Sequence, residues 1–171
     1  MLRPLLTLGA CAALFACQAG GPAPARHIPS GSSVELHQAL TFPPERGSIQ
    51  FQDGRLQSGV DHYRPHCKFV IGARAADRTV QPDRFEVRRV QRFIEGALAA
   101  LPTIKVSLFD NGGPSDTPYI TTLYLHSPHQ PEVVRLSCQS WQDPSQRDSG
   151  HLTVPEIQAA LGSVFTLRLA E

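Results

Sequence analysis

The sequence predicts a mainly β domain (α+β), an antiparallel sandwich or barrel of about seven to eight short strands with one C-terminal helix. Three observations predict it. Apolar residues alternate with polar ones in short segments, the signature of half-buried strands. The 13 glycines and 15 prolines in 171 residues favour turns over long helices. A helix-capping motif stands near the C-terminus, at Thr153-Val154-Pro155-Glu156.

The first strand is expected over Val34 to Leu40, where Val34, Leu36 and Gln38 oppose Glu35, His37 and Ala39, until Phe42-Pro43-Pro44 stops it. Ser48 to Gln52 is a short strand ending at Asp53-Gly54, a strong turn signal between two candidate strands. His66 to Ala73 comes next, then Phe85 to Phe93 after a Pro82-Asp83 turn. In the latter the alternation slips near Arg88-Arg89, as a bulge would make it. Ile104 to Phe109, Tyr119 to His126 and Val133 to Trp141 read as further strands, the first two divided by Asn111-Gly112-Gly113-Pro114. In the helix, Val154, Ile157, Ala160 and Leu161 fall on one face until Gly162 ends it, so it packs on the sheet. A last strand, Val164 to Leu169, returns to the sheet edge or closes it. Glu95 to Leu101 is a second, weaker helix candidate, interrupted by Gly96.

Charge narrows the function classes. There are 16 basic and 15 acidic residues, and Arg3 lies in the segment argued below to be removed. A duplex-binding domain carries a basic excess on one face, so no nucleic-acid partner is expected. One local excess stands out: Arg84, Arg88, Arg89 and Arg92. On a regular strand Arg84, Arg88 and Arg92 share one face, where they would bind an anionic surface such as lipid phosphates or acidic envelope polymers. The competing reading is a solvated outer face with cross-strand Glu partners.

The N-terminus reads as a targeting segment. Arg3 supplies a positive start, and Leu5 to Phe15 an apolar run shorter than the about 20 residues a spanning helix needs. Its end, Leu14-Phe15-Ala16-Cys17, resembles the lipobox of bacterial lipoproteins; only Phe15 is bulkier than that pattern favours. The resemblance implies a signal peptide over 1–16, removal before Cys17, and acylation of Cys17. Gln18 in the place where Asp favours the inner membrane implies the periplasmic face of the outer membrane. The alternative is ordinary cleavage after Ala19, leaving a soluble periplasmic protein. Leu8-Gly9-Ala10-Cys11 is similar but has too short an apolar run before it. Residues 17–33, rich in Gly, Ala, Pro and Ser, are expected as acylated cysteine and flexible tether, and 34–171 as one periplasmic domain.

With Cys11 removed and Cys17 acylated, Cys67 and Cys138 remain, in a compartment where disulfides persist. Cys67, Phe69 and Ile71 share one strand face, and Val134, Leu136 and Cys138 another, so both sulfurs point at a core. A disulfide between them is expected, contributing on the order of 4 kcal/mol.

Motifs of catalysis are weak. His62, His66 and Cys67 could offer ligands to a metal, but Pro65 prevents the helical spacing and Cys67 has a better partner, so no metal or other cofactor is expected. His126 and His129 flank a Ser127-Pro128 turn, and His151 precedes the C-terminal helix. Asp53, Asp61, Asp83 and Asp110 sit in turn contexts that account for them. No Gly-x-Ser-x-Gly elbow marks a nucleophile, and Gly112-Gly113 lacks the lysine and helix of a phosphate loop. Trp141 and Tyr124 are read as packing rather than pocket lining.

Across the domain, Gln52-Asp53-Gly54, Asp61-x-Tyr63-x-Pro65-x-Cys67, Pro82-Asp83-x-Phe85, Cys138-Gln139-x-Trp141 and His151-Leu152-Thr153 resemble a group of uncharacterised proteobacterial lipoproteins. The resemblance implies location rather than activity. The expectation is a non-enzymatic cell-envelope lipoprotein, a structural or protein-binding module held to the membrane by its lipid and partnered by another envelope protein. The rivals are a periplasmic carrier of a small apolar ligand and, behind it, an envelope hydrolase.

Overall fold

The computed structural model describes residues 25–72, 79–95 and 116–171. The expected strand Ile104 to Phe109, the Glu95 to Leu101 helix beyond its first residue, Asp110 and Cys17 lie outside the described residues. The described chain is mainly β. Its strands are β1 (Ser33–Leu36), β2 (Leu40–Thr41), β3 (Ser48–Gln52), β4 (Arg55–Gln57), β5 (His66–Ile71), β6 (Thr79–Val80), β7 (Asp83–Ile94), β8 (Thr117–His126) and β9 (Val133–Gln142); helix α1 (Val154–Leu161) and β10 (Phe165–Arg168) follow.

Eight strands form one antiparallel sheet in the order β10-β1-β7-β8-β9-β5-β3-β4, and β2 pairs with β6 apart from it. The sheet curls into a half-barrel. Phe51 of β3 and Phe165 of β10, near opposite ends of the strand order, meet edge-to-face with ring centroids 5.4 Å apart, and α1 packs on β3, β5 and β10 together. This is the barrel rather than the sandwich solution, left open at its edges.

The concave side is filled. Phe69 touches Phe42, Phe85 and Phe165 at 6.0, 6.1 and 5.1 Å, and Ile157 and Leu161 of α1 close the cluster. Each fully buried phenylalanine contributes roughly 1.5–3 kcal/mol by leaving water. The disulfide between Cys67 and Cys138 lies in this layer. The two residues are directly opposed in the β5–β9 ladder with Cα atoms 4.0 Å apart, and both are buried.

α1 begins as its sequence requires. Thr153 Oγ1 accepts the Glu156 N–H, and the Glu156 carboxylate accepts the Thr153 N–H at 2.7 Å. It ends at Gly162, whose φ of +63° meets Gly54, φ +74°, across the mouth of the half-barrel. Asp53 and Gly54, both left-handed, make the tight turn joining β3 and β4. The Gly54 N–H donates to the Ala160 carbonyl at 3.1 Å. Helix and hairpin backbones thus meet where two glycines leave room for the approach.

β10 is an edge strand, and Gln158 of α1 blunts it. Its amide nitrogen donates to the Phe165 carbonyl at 2.6 Å and the Gly162 carbonyl at 3.0 Å, while its oxygen accepts the Leu167 N–H at 2.9 Å. One side chain thus occupies edge groups that would otherwise template another strand. Gln158→Ala is expected to cost about 1–3 kcal/mol in urea unfolding and to raise self-association, read by light scattering.

The expected tether gives way earlier than the sequence indicates. Ile28 is buried, the Val154 N–H donates to the Ala25 carbonyl at 2.8 Å, and the Gly31 N–H donates to the Val87 carbonyl at 2.8 Å. Residues 25–33 are part of the domain, so its boundary lies at or before Ala25 rather than at Val34. Ile28 alone among Pro, Ala, Gly and Ser gives no periodicity, which is why composition reads this stretch as linker.

Candidate functional site

The convex face of the sheet carries several exposed cations. β7 pairs with β8 through Val87↔Leu125 and then Arg89↔Tyr124, leaving Arg88 as the extra residue of a bulge. The bulge corrects the expectation that Arg84, Arg88 and Arg92 share a face. Arg84 lies on the convex side with Glu86. Arg88 is the bulged residue and reaches the Glu86 carboxylate at 3.5 Å. Arg92 pairs with the inward-facing Thr121, opposite the face of Arg84. Arg89 takes the position alternation had given to Arg88.

Arg89 stands over the Tyr124 ring, its guanidinium carbon 4.0 Å from the centroid, and the Tyr124 hydroxyl donates to Gln91 at 2.7 Å. Arg135 of β9 is directly opposite Tyr124 on the next strand. Lys68 of β5 is opposite Ser137, whose hydroxyl meets that of Thr122 at 2.9 Å. Arg89, Arg135 and Lys68 are exposed, and among the described residues none has a carboxylate within ion-pair distance. Glu86 and Glu35, on this face, are engaged, Glu86 by Arg88 and Glu35 by Arg168 at 2.8 Å.

A small groove of about 190 Å³ opens on the same face. Gly31, Ser32, Ser33, Arg84, Glu86, His126 and Pro128 line it. Ser33 is buried, and its hydroxyl is, among the described residues, the one buried side-chain polar atom without a hydrogen-bond partner. Sequence reasoning missed Ser33, Lys68 and Arg135, and named Arg89 in the basic cluster without placing it on the shared face. Arg135 was legible, since it alternates with Leu136; Arg89 required the bulge to be placed to the residue.

The histidines serve the fold. The segment before β5 folds over the convex side, so Gln52 and His66 are buried there. Gln52 Nε2 donates to the Asp61 carbonyl at 2.8 Å and its Oε1 accepts the Asp61 N–H at 3.0 Å. His66 Nδ1 lies 2.9 Å from the Arg64 carbonyl and must donate to it, so Nε2 is the acceptor for the Gln139 amide at 3.2 Å. The His62 ring stands between those of His66 and Trp141, 5.4 Å from each, and Tyr63 abuts Trp141 at 6.4 Å. Trp141 is 37% exposed on this outer platform, where it packs against His62 and Tyr63 rather than in the core. Cys67, beside His66, has its sulfur in the disulfide on the opposite face.

Burial holds the His66 imidazole below its ordinary pKa, with help from neighbouring His62 and opposed by the Arg64 carbonyl and Asp61. His151 shifts the same way, through burial first and then Arg92 and Arg26, with the Ile120 backbone opposing. As pH falls below about 6.5, the unfolded chain binds these protons before the folded one does. Their contribution to stability is therefore constant above that pH and declines below it until the folded imidazoles titrate. His66→Gln is expected to flatten part of this decline in urea midpoints measured from pH 7.5 to pH 5.5, about one pH unit either side of the free imidazole value.

Asp83 is the other satisfied group. Burial pushes its carboxyl up, but bonds from Ser127 Oγ at 2.6 Å, Gln130 Nε2 at 3.1 Å and the Arg84 N–H at 2.7 Å outweigh it, with His129 3.8 Å away, and the pKa falls. Gln130 also brackets Gln81, accepting its N–H at 2.7 Å and donating to its carbonyl at 3.0 Å. This network locks the start of β7 to the β8–β9 hairpin. Asp61 accepts the Tyr63 N–H at 3.0 Å, the local turn role expected of it, whereas Asp53 accepts a 2.7 Å bond from the Arg64 guanidinium eleven residues away. His151 lies edge-on to Tyr119 at 5.7 Å on the inner side, and its carbonyl accepts from Arg26 at 2.9 Å.

No family model matches the chain, and neither a curated protein nor a solved structure is significantly similar to it. The functional reading rests on the residues themselves.

Proposed function

We propose that the chain is a cell-envelope lipoprotein, acylated at Cys17, whose β domain is a non-catalytic structural or protein-binding module on the periplasmic face of the outer membrane. The observation that carries the reading is the buried Cys67–Cys138 bond. Such bonds persist in oxidising compartments, which matches the export signal ending in Leu14-Phe15-Ala16-Cys17. Binding is favoured over catalysis because the best-placed acid and base, Asp83 and His66, have their hydrogen-bonding capacity taken up by Ser127, Gln130, Arg64 and Gln139. A carrier would hold its ligand on the concave side, and there Phe42, Phe51, Phe69, Phe85, Phe165 and α1 fill the space. That packing lends the carrier reading no support.

Fractionation tests the proposal. Expressed as the full precursor, the protein is expected to sediment with membranes washed in high salt, and Cys17→Ser is expected to release it to the periplasmic fraction under that wash. Membrane association in high salt unchanged by Cys17→Ser, or accumulation in the cytoplasm, would overturn it.

A further inference from the structure

We infer that the convex face docks on the phosphate headgroups of an anionic phospholipid surface, with the Ser33–Arg84 groove taking one phosphate and Arg89, Arg135 and Lys68 lying along the bilayer. The inference rests on the lipoprotein reading for its setting, and deepens it by naming what the domain itself touches.

The groove offers the chemistry a phosphate needs. A buried hydroxyl without a partner is destabilising, and an anionic oxygen accepting from Ser33 Oγ would remove that cost. Arg84 supplies a fork of donors and His126 a further ring nitrogen beside it. The Glu86 carboxylate also lines the groove, but it is drawn to Arg88. A free Ser–Arg pair inside a groove is otherwise wasteful, because nothing in the fold uses the hydroxyl.

Beyond the groove the same face stays basic. Arg89 lies on β7, Arg135 on β9 and Lys68 on β5, three steps of the sheet that span roughly 15 Å at about 4.8 Å per step. A row of unpaired cations across a sheet face suits an array of charges in a plane better than a single small anion. Chain length agrees. Eight peptide steps join Cys17 to Ala25, so a lipid on Cys17 holds the domain within roughly 28 Å of the headgroups, at about 3.5 Å per residue. At that range the docking step is intramolecular, and weak contacts suffice.

The test uses the mature chain carrying Cys17→Ser, so that no acyl chain contributes, and sedimentation with vesicles. Binding is expected to vesicles containing phosphatidylglycerol and not to pure phosphatidylcholine, and to weaken steeply with salt. Joint replacement of Arg89, Arg135 and Lys68 by Gln is expected to weaken it about a hundredfold, roughly fivefold per cation. Ser33→Ala is expected to weaken it severalfold with no loss of thermal stability, which separates a ligand role from a folding role. Equal binding to both vesicles, or phosphatidylglycerol binding indifferent to these substitutions, would overturn the inference. So would binding to inorganic phosphate or polyglutamate without vesicle binding, in favour of a free anion or an acidic protein. Vesicle binding lost with the cations in a protein whose Cys17 is never acylated would sink the lipoprotein reading alone, and acylation without vesicle binding would sink this inference alone.

Discussion

Replacing Cys67 and Cys138 together by alanine is expected to lower the unfolding free energy by about 4 kcal/mol in urea titrations, a large share of the 5–15 kcal/mol of a small domain. The bond closes a loop with 71 residues of sequence separation, so the unfolded chain regains much of the freedom the crosslink removes. Two structural facts keep the effect near that size. The bond joins adjacent strands in direct register, so its loss leaves the β5–β9 ladder in place. The small void left by two sulfurs adds to the cost rather than relieving it. Because both cysteines are buried, reduction of the native protein is expected to follow the rate of unfolding. A loss below about 1 kcal/mol would show that the unfolded chain remains compact without the bond.

The second large effect is at Gly162. A Cβ there would lie 2.8 Å from the Gly54 carbonyl oxygen and closer still to its Cα, against backbone that cannot rotate away. The φ of +63° adds strain for any residue with a side chain. Overpacking and backbone strain each cost about 1–3 kcal/mol, so Gly162→Ala is expected to destabilise by roughly 3–4 kcal/mol. The neighbouring exposed Ser163→Ala should stay within about 0.5 kcal/mol. Equal unfolding midpoints for the two variants would mean that helix and hairpin do not meet as described.

Local signals carried most of the fold. The capping box, the Asp53-Gly54 turn and the strands around Cys67 and Cys138 are each decided by neighbouring residues, and each is present. Facing was harder, since it depends on unbroken alternation. The bulge at Arg88 inverts the expected face of Arg92, and the shift opposite Val70 and Ile71 buries Val133 where the pattern chose Val134. The slip near Arg88-Arg89 was itself visible, yet a slip tells that parity changes without telling which residue is extra. Two features were beyond sequence because they join distant segments. Ile28 is buried only because Ala25 and Gly31 bond to Val154 and Val87, and Ser33 stands out only once its hydroxyl is seen to lack a partner.

Of the candidate site, one residue read from the sequence stays in place. Arg84 faces outward at the groove, while Arg88 is turned to Glu86 and Arg92 inward. The cations that replace them, Arg89, Arg135 and Lys68, come from three strands far apart in sequence. Only the sheet order makes them neighbours.

The most direct test of the central claim is the intact mass of the protein purified from membranes after expression of the full precursor, measured with and without reduction. The account predicts the mass of the chain beginning at Cys17 plus acyl chains, rising by two hydrogens on reduction as the Cys67–Cys138 bond opens. A mass matching an unmodified chain beginning after Ala19 would contradict it, and the protein would then be a soluble periplasmic domain.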